Sequence, residues 1–163
     1  YLEKHPEYTV YFAPGARILQ IQPERMKRLF ALHPVLHMNE EESLSYTKKA
    51  SVQEAAHALW QETQNAVIIT LGAKGAYCFD GREDISVPPV PAEVTDTIGA
   101  GDSHMGAVIA AWRFGLDFAD ALTAANHISS AVVAAQGGLL DTEAFQRAVT
   151  AMPEGIRAKF EKV

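Results

Sequence analysis

The sequence predicts an α/β fold, a largely parallel sheet flanked by helices, and three observations carry that expectation. Short apolar runs rich in β-branched residues recur along the chain, the clearest being AVIITLG at residues 66–72. Between them lie stretches whose apolar residues recur at i, i+3 and i+4, the spacing of one helix face. Pairs such as Pro14-Gly15 and Gly137-Gly138 mark the ends of segments. A run that is apolar at successive positions suits a strand covered on both faces. Strands that alternate with helices build a layered α/β architecture.

Taken in order, TVYFAP at residues 9–14 is expected as a short strand ended by Pro14-Gly15. In PERMKRLFAL, Pro23 suits a first helical turn, and Met26, Leu29 and Phe30 fall on one face. PVLHMN at residues 34–39 reads as a second strand finishing at Asn39, and the three glutamates after it read as a solvated helix start favoured by the helix dipole. Ser51 and Glu54 have capping-box spacing and open a helix with Val52, Ala55, Leu59 and Trp60 on its apolar face. Residues 66–72 form a third strand, and GAYCFDGREDISV resembles a hairpin turning near Asp80-Gly81. Beyond the proline-rich VPPVPAEV, Met105, Val108, Ile109 and Trp112 mark a helix that Gly115 stops. A second apolar helix is expected over residues 117–136, and a third between Asp141-Thr142 and Pro153.

The 163 residues are 48% hydrophobic and 21% charged, with a net charge of -6. That is an ordinary globular balance for one domain or a piece of one. Nucleic acid and anionic membranes reward clustered Lys and Arg, so neither is an expected partner. Cys78 is the only cysteine, which excludes an internal disulfide and suits a reducing cytoplasm. No apolar run approaches the ~20 residues of a membrane-spanning helix. The chain opens on Tyr1 and soon enters a strand-like run, so it is expected to be a fragment.

The densest chemistry lies in DTIGAGD, residues 96–102, which runs directly into a helix. Small residues at Gly99, Ala100 and Gly101 leave backbone N–H groups uncovered where that helix begins. The helix terminus adds partial positive charge. Together they make an anion site, suited to a phosphate or to a phosphoryl group in transit. Asp102 adjoins it. A carboxylate beside a phosphate is repulsive unless it faces a hydroxyl whose proton it accepts, which is the task of a general base activating an alcohol. The same residues also admit a structural role, a glycine-rich turn with Asp102 as the helix N-cap. The Lys-Ser/Thr ending of a Walker A loop is absent, as is a full dinucleotide fingerprint.

DTIGAGD resembles the C-terminal signature of the ribokinase-like (pfkB) carbohydrate kinases, Asp-Thr-x-Gly-Ala-Gly-Asp. NEEE at residues 39–42 resembles the family's Asn-x-x-Glu motif, and TLGAKG at residues 70–75 its nucleotide-contacting Thr-Leu-Gly-x-x-Gly loop. All three stand in family order. The resemblance runs from roughly Val10 to the last helix and covers the C-terminal half of a typical member. It implies a ribokinase-like fold, with residues 1–163 as the nucleotide-binding and catalytic portion and the sugar-binding half and lid outside the chain.

The resemblance further implies ATP-dependent phosphorylation of a hydroxyl on a sugar or sugar-like substrate. Asp102 would be the base, and the N–H groups of Gly99, Ala100, Gly101 and Asp102 the anion hole. Asn39 and Glu42 would help place phosphates and Mg2+ through water. Thr70, Gly72 and Gly75 would line the nucleotide site, with Asn126 near the adenine. Lys74 in that loop either approaches a phosphate or is simply solvated. Asp96 would help bind a K+-like cation with carbonyls near Ile98, Val132, Ala135 and Gly137, and Asp141 at a possible side-chain position. Alternatively, Asp96 satisfies loop N–H groups. A homodimer is the expected assembly. A nucleoside kinase of the same fold is the nearest alternative, and a non-catalytic ATP-binding module the competing class.

His104 departs from the family pattern, where an aromatic or small apolar residue, commonly Phe, is expected. A buried, neutral, hydrogen-bonded imidazole is the expected environment, with direct substrate contact as the alternative. His5, His33, His37, His57 and His127 show no metal-ligand spacing.

Overall fold

A computed structural model describes residues 1–160. They divide into two compact units, Tyr1–Leu71 with Tyr77–Ile85, and Gly72–Ala76 with the chain from Ser86 onward.

The strands form a five-stranded sheet of order β1-β2-β3-β4-β5, with β1 (Tyr11–Phe12), β2 (Val35–Asn39) and β3 (Val67–Thr70) wholly in the first unit, followed by β4 (Ala76–Phe79) and β5 (Asp84–Val87). The first three strands are parallel, with Tyr11 opposite Val35, Leu36 opposite Val67 and Asn39 opposite Thr70. Parallel neighbours need crossover connections. Here they are α1 (Pro23–Phe30) between β1 and β2, then α2 (Glu40–Thr47) and α3 (Val52–Thr63) between β2 and β3. Leu36 and Met38 of β2 and Val67 and Ile69 of β3 send alternate side chains to one face, where they meet Met26, Phe30 and Leu59. Burying each such side chain contributes roughly 1.5–3 kcal/mol. The β4–β5 turn forms as expected, with Asp80 Oδ1 accepting the N–H groups of Arg82 and Glu83.

Three local expectations are corrected, and one element was not expected. The first strand is only Tyr11–Phe12, registered against Val35 and Leu36, with the Val10 carbonyl before it accepting the Val35 N–H at 2.9 Å. Gly15–Gln20 forms a 3-10 turn with no sequence periodicity to announce it. Ser51 Oγ accepts Glu54 N–H at 3.2 Å, but the Glu54 carboxylate takes the N–H of Ala50, so the capping box is offset by one residue. On α3, Ala56 is buried while Trp60 is only half-buried, its ring packed edge-on to Phe79 at 5.7 Å.

The second unit contains α4 (Ala100–Arg113), α5 (Phe118–Ala134), α6 (Thr142–Thr150) and α7 (Glu154–Phe160). Helices α4 and α5 pack on each other. Alanines at 107, 111, 121, 124 and 125 are buried, and side chains that small permit close interaxial approach. The buried stripe of α4 is therefore His104, Ala107, Val108 and Ala111, whereas Met105, Ile109 and Trp112 are only partly covered. Asp117 caps α5 through the Asp120 N–H, and Gly115 ends α4 at φ 77. No helix among the described residues is long and apolar enough to cross a membrane.

Candidate active site

The turn into α4 is built by paired glycines in the second unit. Gly99, at φ 75, is the N-cap and has no side chain to offer the first-turn amides. A Cβ on Gly99 would lie 2.8 Å from the Gly138 carbonyl oxygen, and one on Gly138 would lie 2.6 Å from the Ile98 carbonyl oxygen. With Gly138 at φ 72, both positions need the left-handed conformation that glycine adopts without steric cost. Gly137-Gly138 signals only a helix stop in the sequence, so the role of Gly138 in closing the turn was legible in composition but not in position.

Asp96 fastens the same loops. Its Oδ1 accepts Ile98 N–H at 3.0 Å and its Oδ2 accepts Gly137 N–H at 3.2 Å. The backbone N–H groups of Thr95 and Asp96 share the Val133 carbonyl at 2.8 and 3.1 Å. The Val132 carbonyl accepts Ala135 N–H, and Asp141 caps α6 through Ala144 N–H at 2.7 Å. Asp96 thus satisfies loop N–H groups, the simpler of its two expected roles.

This frame leaves open donors at the helix start. The Ala100 N–H reaches the Thr97 carbonyl at 3.3 Å, but those of Gly99, Gly101 and Asp102 have no acceptor among the described residues. Gly101 has open space where a Cβ would stand. Asp102 is exposed and its carboxylate makes no hydrogen bond or ion pair among the described residues. Because Gly99 is the N-cap and Asp102 is the third residue of the helix, the N-cap role for Asp102 is excluded. Three unsatisfied amides and one uncommitted carboxylate therefore share a single helical turn. Chemically, that turn can hold an anion and accept a proton beside it.

Two further features belong to the second unit. His104 is 2% exposed, with Nε2 3.2 Å from Asn126 Oδ1, in the hydrogen-bonded environment expected for it. The Asn126 amide nitrogen donates to the Pro88 carbonyl at 2.8 Å. Gly72 and Lys74 lie on an exposed 3-10 turn, Gly72 at φ 58 with open space around a would-be Cβ. Gly75, at φ 99, is buried with its Cα against the peptide from Val87 to Pro89.

In the first unit, Asn39 and Glu42 form a reciprocal capping box at the start of α2. Asn39 Oδ1 accepts Glu42 N–H at 2.8 Å and Glu42 Oε2 accepts Asn39 N–H at 3.0 Å. The helix-start role read from the glutamate run is thus realised. Thr70 stands beside Asn39 in register, at the ends of β3 and β2. Cys78 is no nucleophile, since burial and the charge of Asp80 push its thiol up to about 12. Among the described residues no three His, Cys, Asp or Glu side chains gather as a metal cage.

A family model described as pfkB family carbohydrate kinase matches residues 10–144. An uncharacterised sugar kinase of Escherichia coli (strain K12), YegV, is 34% identical over 142 residues, which is 85% of this chain and 44% of that protein. The structure of ribokinase from Thermotoga maritima superposes with a TM-score of 0.77 at 23% identity, covering 90% of this chain and 50% of that one. Aminoimidazole riboside kinase from Salmonella enterica, solved with aminoimidazole riboside and an ATP analogue, gives a TM-score of 0.64 at 25% identity over 85% of this chain and 46% of that one. The chain spans about half the length of these relatives.

Proposed function

The chain belongs to the pfkB family of carbohydrate kinases, and on that premise we propose that it supplies the nucleotide-binding and catalytic portion of an ATP-dependent kinase acting on a sugar hydroxyl. One observation carries this proposal, the exposed and uncommitted carboxylate of Asp102 in the same turn as the open amides of Gly99, Gly101 and Asp102.

In the proposed reaction the acceptor hydroxyl lies against Asp102, which takes its proton as the new O–P bond forms. The open amides of Gly99, Gly101 and Asp102 face the oxygens of the transferred phosphoryl group, beside the Ala100 N–H that bonds the Thr97 carbonyl, and ADP leaves in line. Preorganised amides stabilise developing charge without reorganising at the moment of reaction. Gly72, Lys74 and Gly75 contact the nucleotide, together with Thr70. Because both ends of the Asn126 amide are engaged inside the protein, Asn126 shapes the wall beside the adenine rather than hydrogen-bonding the base. The oxygen donors of Asn39 and Glu42 suit Mg2+, a hard cation that keeps several waters and neutralises charge on nucleotide phosphates.

The backbone carbonyls near Ile98, Val132, Ala135 and Gly137 suit a K+-like cation, with Asp96 and Asp141 adding negative charge nearby. Equal rates in K+ and Na+ would remove that ion from the scheme.

Full-length protein assayed for ATP consumption against a panel of sugars and nucleosides tests the assignment, with turnover on a sugar expected. The aminoimidazole riboside kinase likeness favours nucleosides as the second reading, which turnover on nucleosides alone would select. ATP binding without turnover on any acceptor would instead mark a non-catalytic module.

A further inference from the structure

We infer that His104 is a positioning residue for the nucleotide loop, acting through a chain of contacts that runs from the buried His104–Asn126 pair to the Pro88 carbonyl and Gly75; the inference rests on the nucleotide-binding role proposed above for that loop. The Pro88 carbonyl can only accept a hydrogen bond, so the Asn126 group facing it at 2.8 Å must be the amide NH2. Asn126 Oδ1 then faces His104 Nε2 at 3.2 Å, and Nε2 must carry the proton. The tautomer follows from the chain of donors and acceptors.

Each link has a consequence for the next. Asn126 is 7% exposed and His104 2%, so water cannot readily replace a lost partner, and an unpaired buried oxygen is costly. Asn126 in turn holds the peptide that follows β5, where the Gly75 Cα sits so close that a Cβ would lie 2.1 Å from the Val87 carbonyl oxygen and 2.8 Å from the Pro88 carbonyl carbon. Gly75 closes the 72–75 turn by donating its N–H to the Gly72 carbonyl at 3.1 Å. His104 stands two residues beyond Asp102 on α4. The chain of contacts thus ties the helix that carries the proposed base to the loop that holds the nucleotide.

The test uses His104→Phe, which keeps an aromatic ring and removes the donor, and His104→Gln, which keeps a donor. Asn126→Asp serves as a second, nearly isosteric break, since a carboxylate still accepts from His104 but cannot donate to Pro88. Two readouts are taken on the full-length protein, amide hydrogen exchange at Gly75 and the Kd of a non-hydrolysable ATP analogue. His104→Phe and Asn126→Asp are each expected to speed Gly75 exchange and to raise the analogue Kd about tenfold, or ~1.4 kcal/mol. In His104→Phe the Michaelis constant for ATP should rise while turnover at saturating ATP changes little. His104→Gln should recover most of the affinity. Unchanged exchange and affinity in folded Asn126→Asp would overturn the inference, as would equal losses in His104→Gln and His104→Phe. Faster Gly75 exchange in the variants, with a parent protein that binds no ATP analogue, would keep the chain of contacts and reject the nucleotide site instead.

Discussion

Gly101 and Gly138 serve the same turn for opposite physical reasons, and substitution separates them. At Gly138 a methyl group meets the Ile98 carbonyl at 2.6 Å, and φ is 72. Gly138→Ala should therefore lower stability by about 1–3 kcal/mol, read as a fall in melting temperature. At Gly101 the backbone is helical and the space beside it is open. Gly101→Ala should leave the melting temperature unchanged, or raise stability by up to ~1 kcal/mol, because alanine is the better helix former. Its methyl group would nonetheless stand at the proposed anion site, so ATP turnover should fall about tenfold or more, a barrier of ~1.4 kcal/mol. A Gly101→Ala variant with full turnover would show that the open space is incidental. Sequence inspection finds both glycines, yet only the fold says which is packed against backbone and which faces a void.

The elements that sequence periodicity announces are the ones that bury a stripe or a run, such as β2, β3, α1 and α3. The 3-10 segments Leu2–Lys4 and Gly15–Gln20 announce nothing, because a single tight turn has no apolar repeat. Long-range ties are equally silent. The Asp96–Gly137 bond joins residues 41 apart and the His104–Asn126 bond residues 22 apart.

A third such tie fastens α3 to the β4–β5 hairpin. Asp84 accepts hydrogen bonds from the Tyr77 hydroxyl and from His57 Nε2. The Tyr77 hydrogen bond, then that of His57, holds the Asp84 carboxyl below its ordinary value. A carboxylate whose folded pKa is depressed contributes stability above the ordinary aspartate pKa of ~3.9, and loses it as pH falls through the folded value. Asp84→Asn should thus lower the melting temperature at pH 7 and flatten its decline below about pH 4. Parallel acid limbs in parent and variant would show that the tie carries no stability.

For the molecule as a whole, the three family motifs were legible as local strings because each depends on short-range backbone geometry, a glycine turn or a helix start. What they act upon was not, since the chain spans about half the length of its relatives and substrate selection depends on surfaces beyond any one motif. The proposed reaction turns on Asp102 as its general base. Asp102→Asn keeps the size of the side chain and removes the basic carboxylate. It also gives up the favourable charge in the first turn of α4, which costs at most ~1 kcal/mol at an exposed site. A general base typically contributes 10²–10⁴-fold, or roughly 3–5 kcal/mol of barrier. The decisive measurement is turnover of full-length Asp102→Asn at saturating ATP and acceptor, with ATP affinity and melting temperature taken on the same sample. A loss of at least about a hundredfold, with near-parental ATP affinity and a small drop in melting temperature, is predicted. Near-parental turnover in that variant would contradict the assignment of Asp102 as the base.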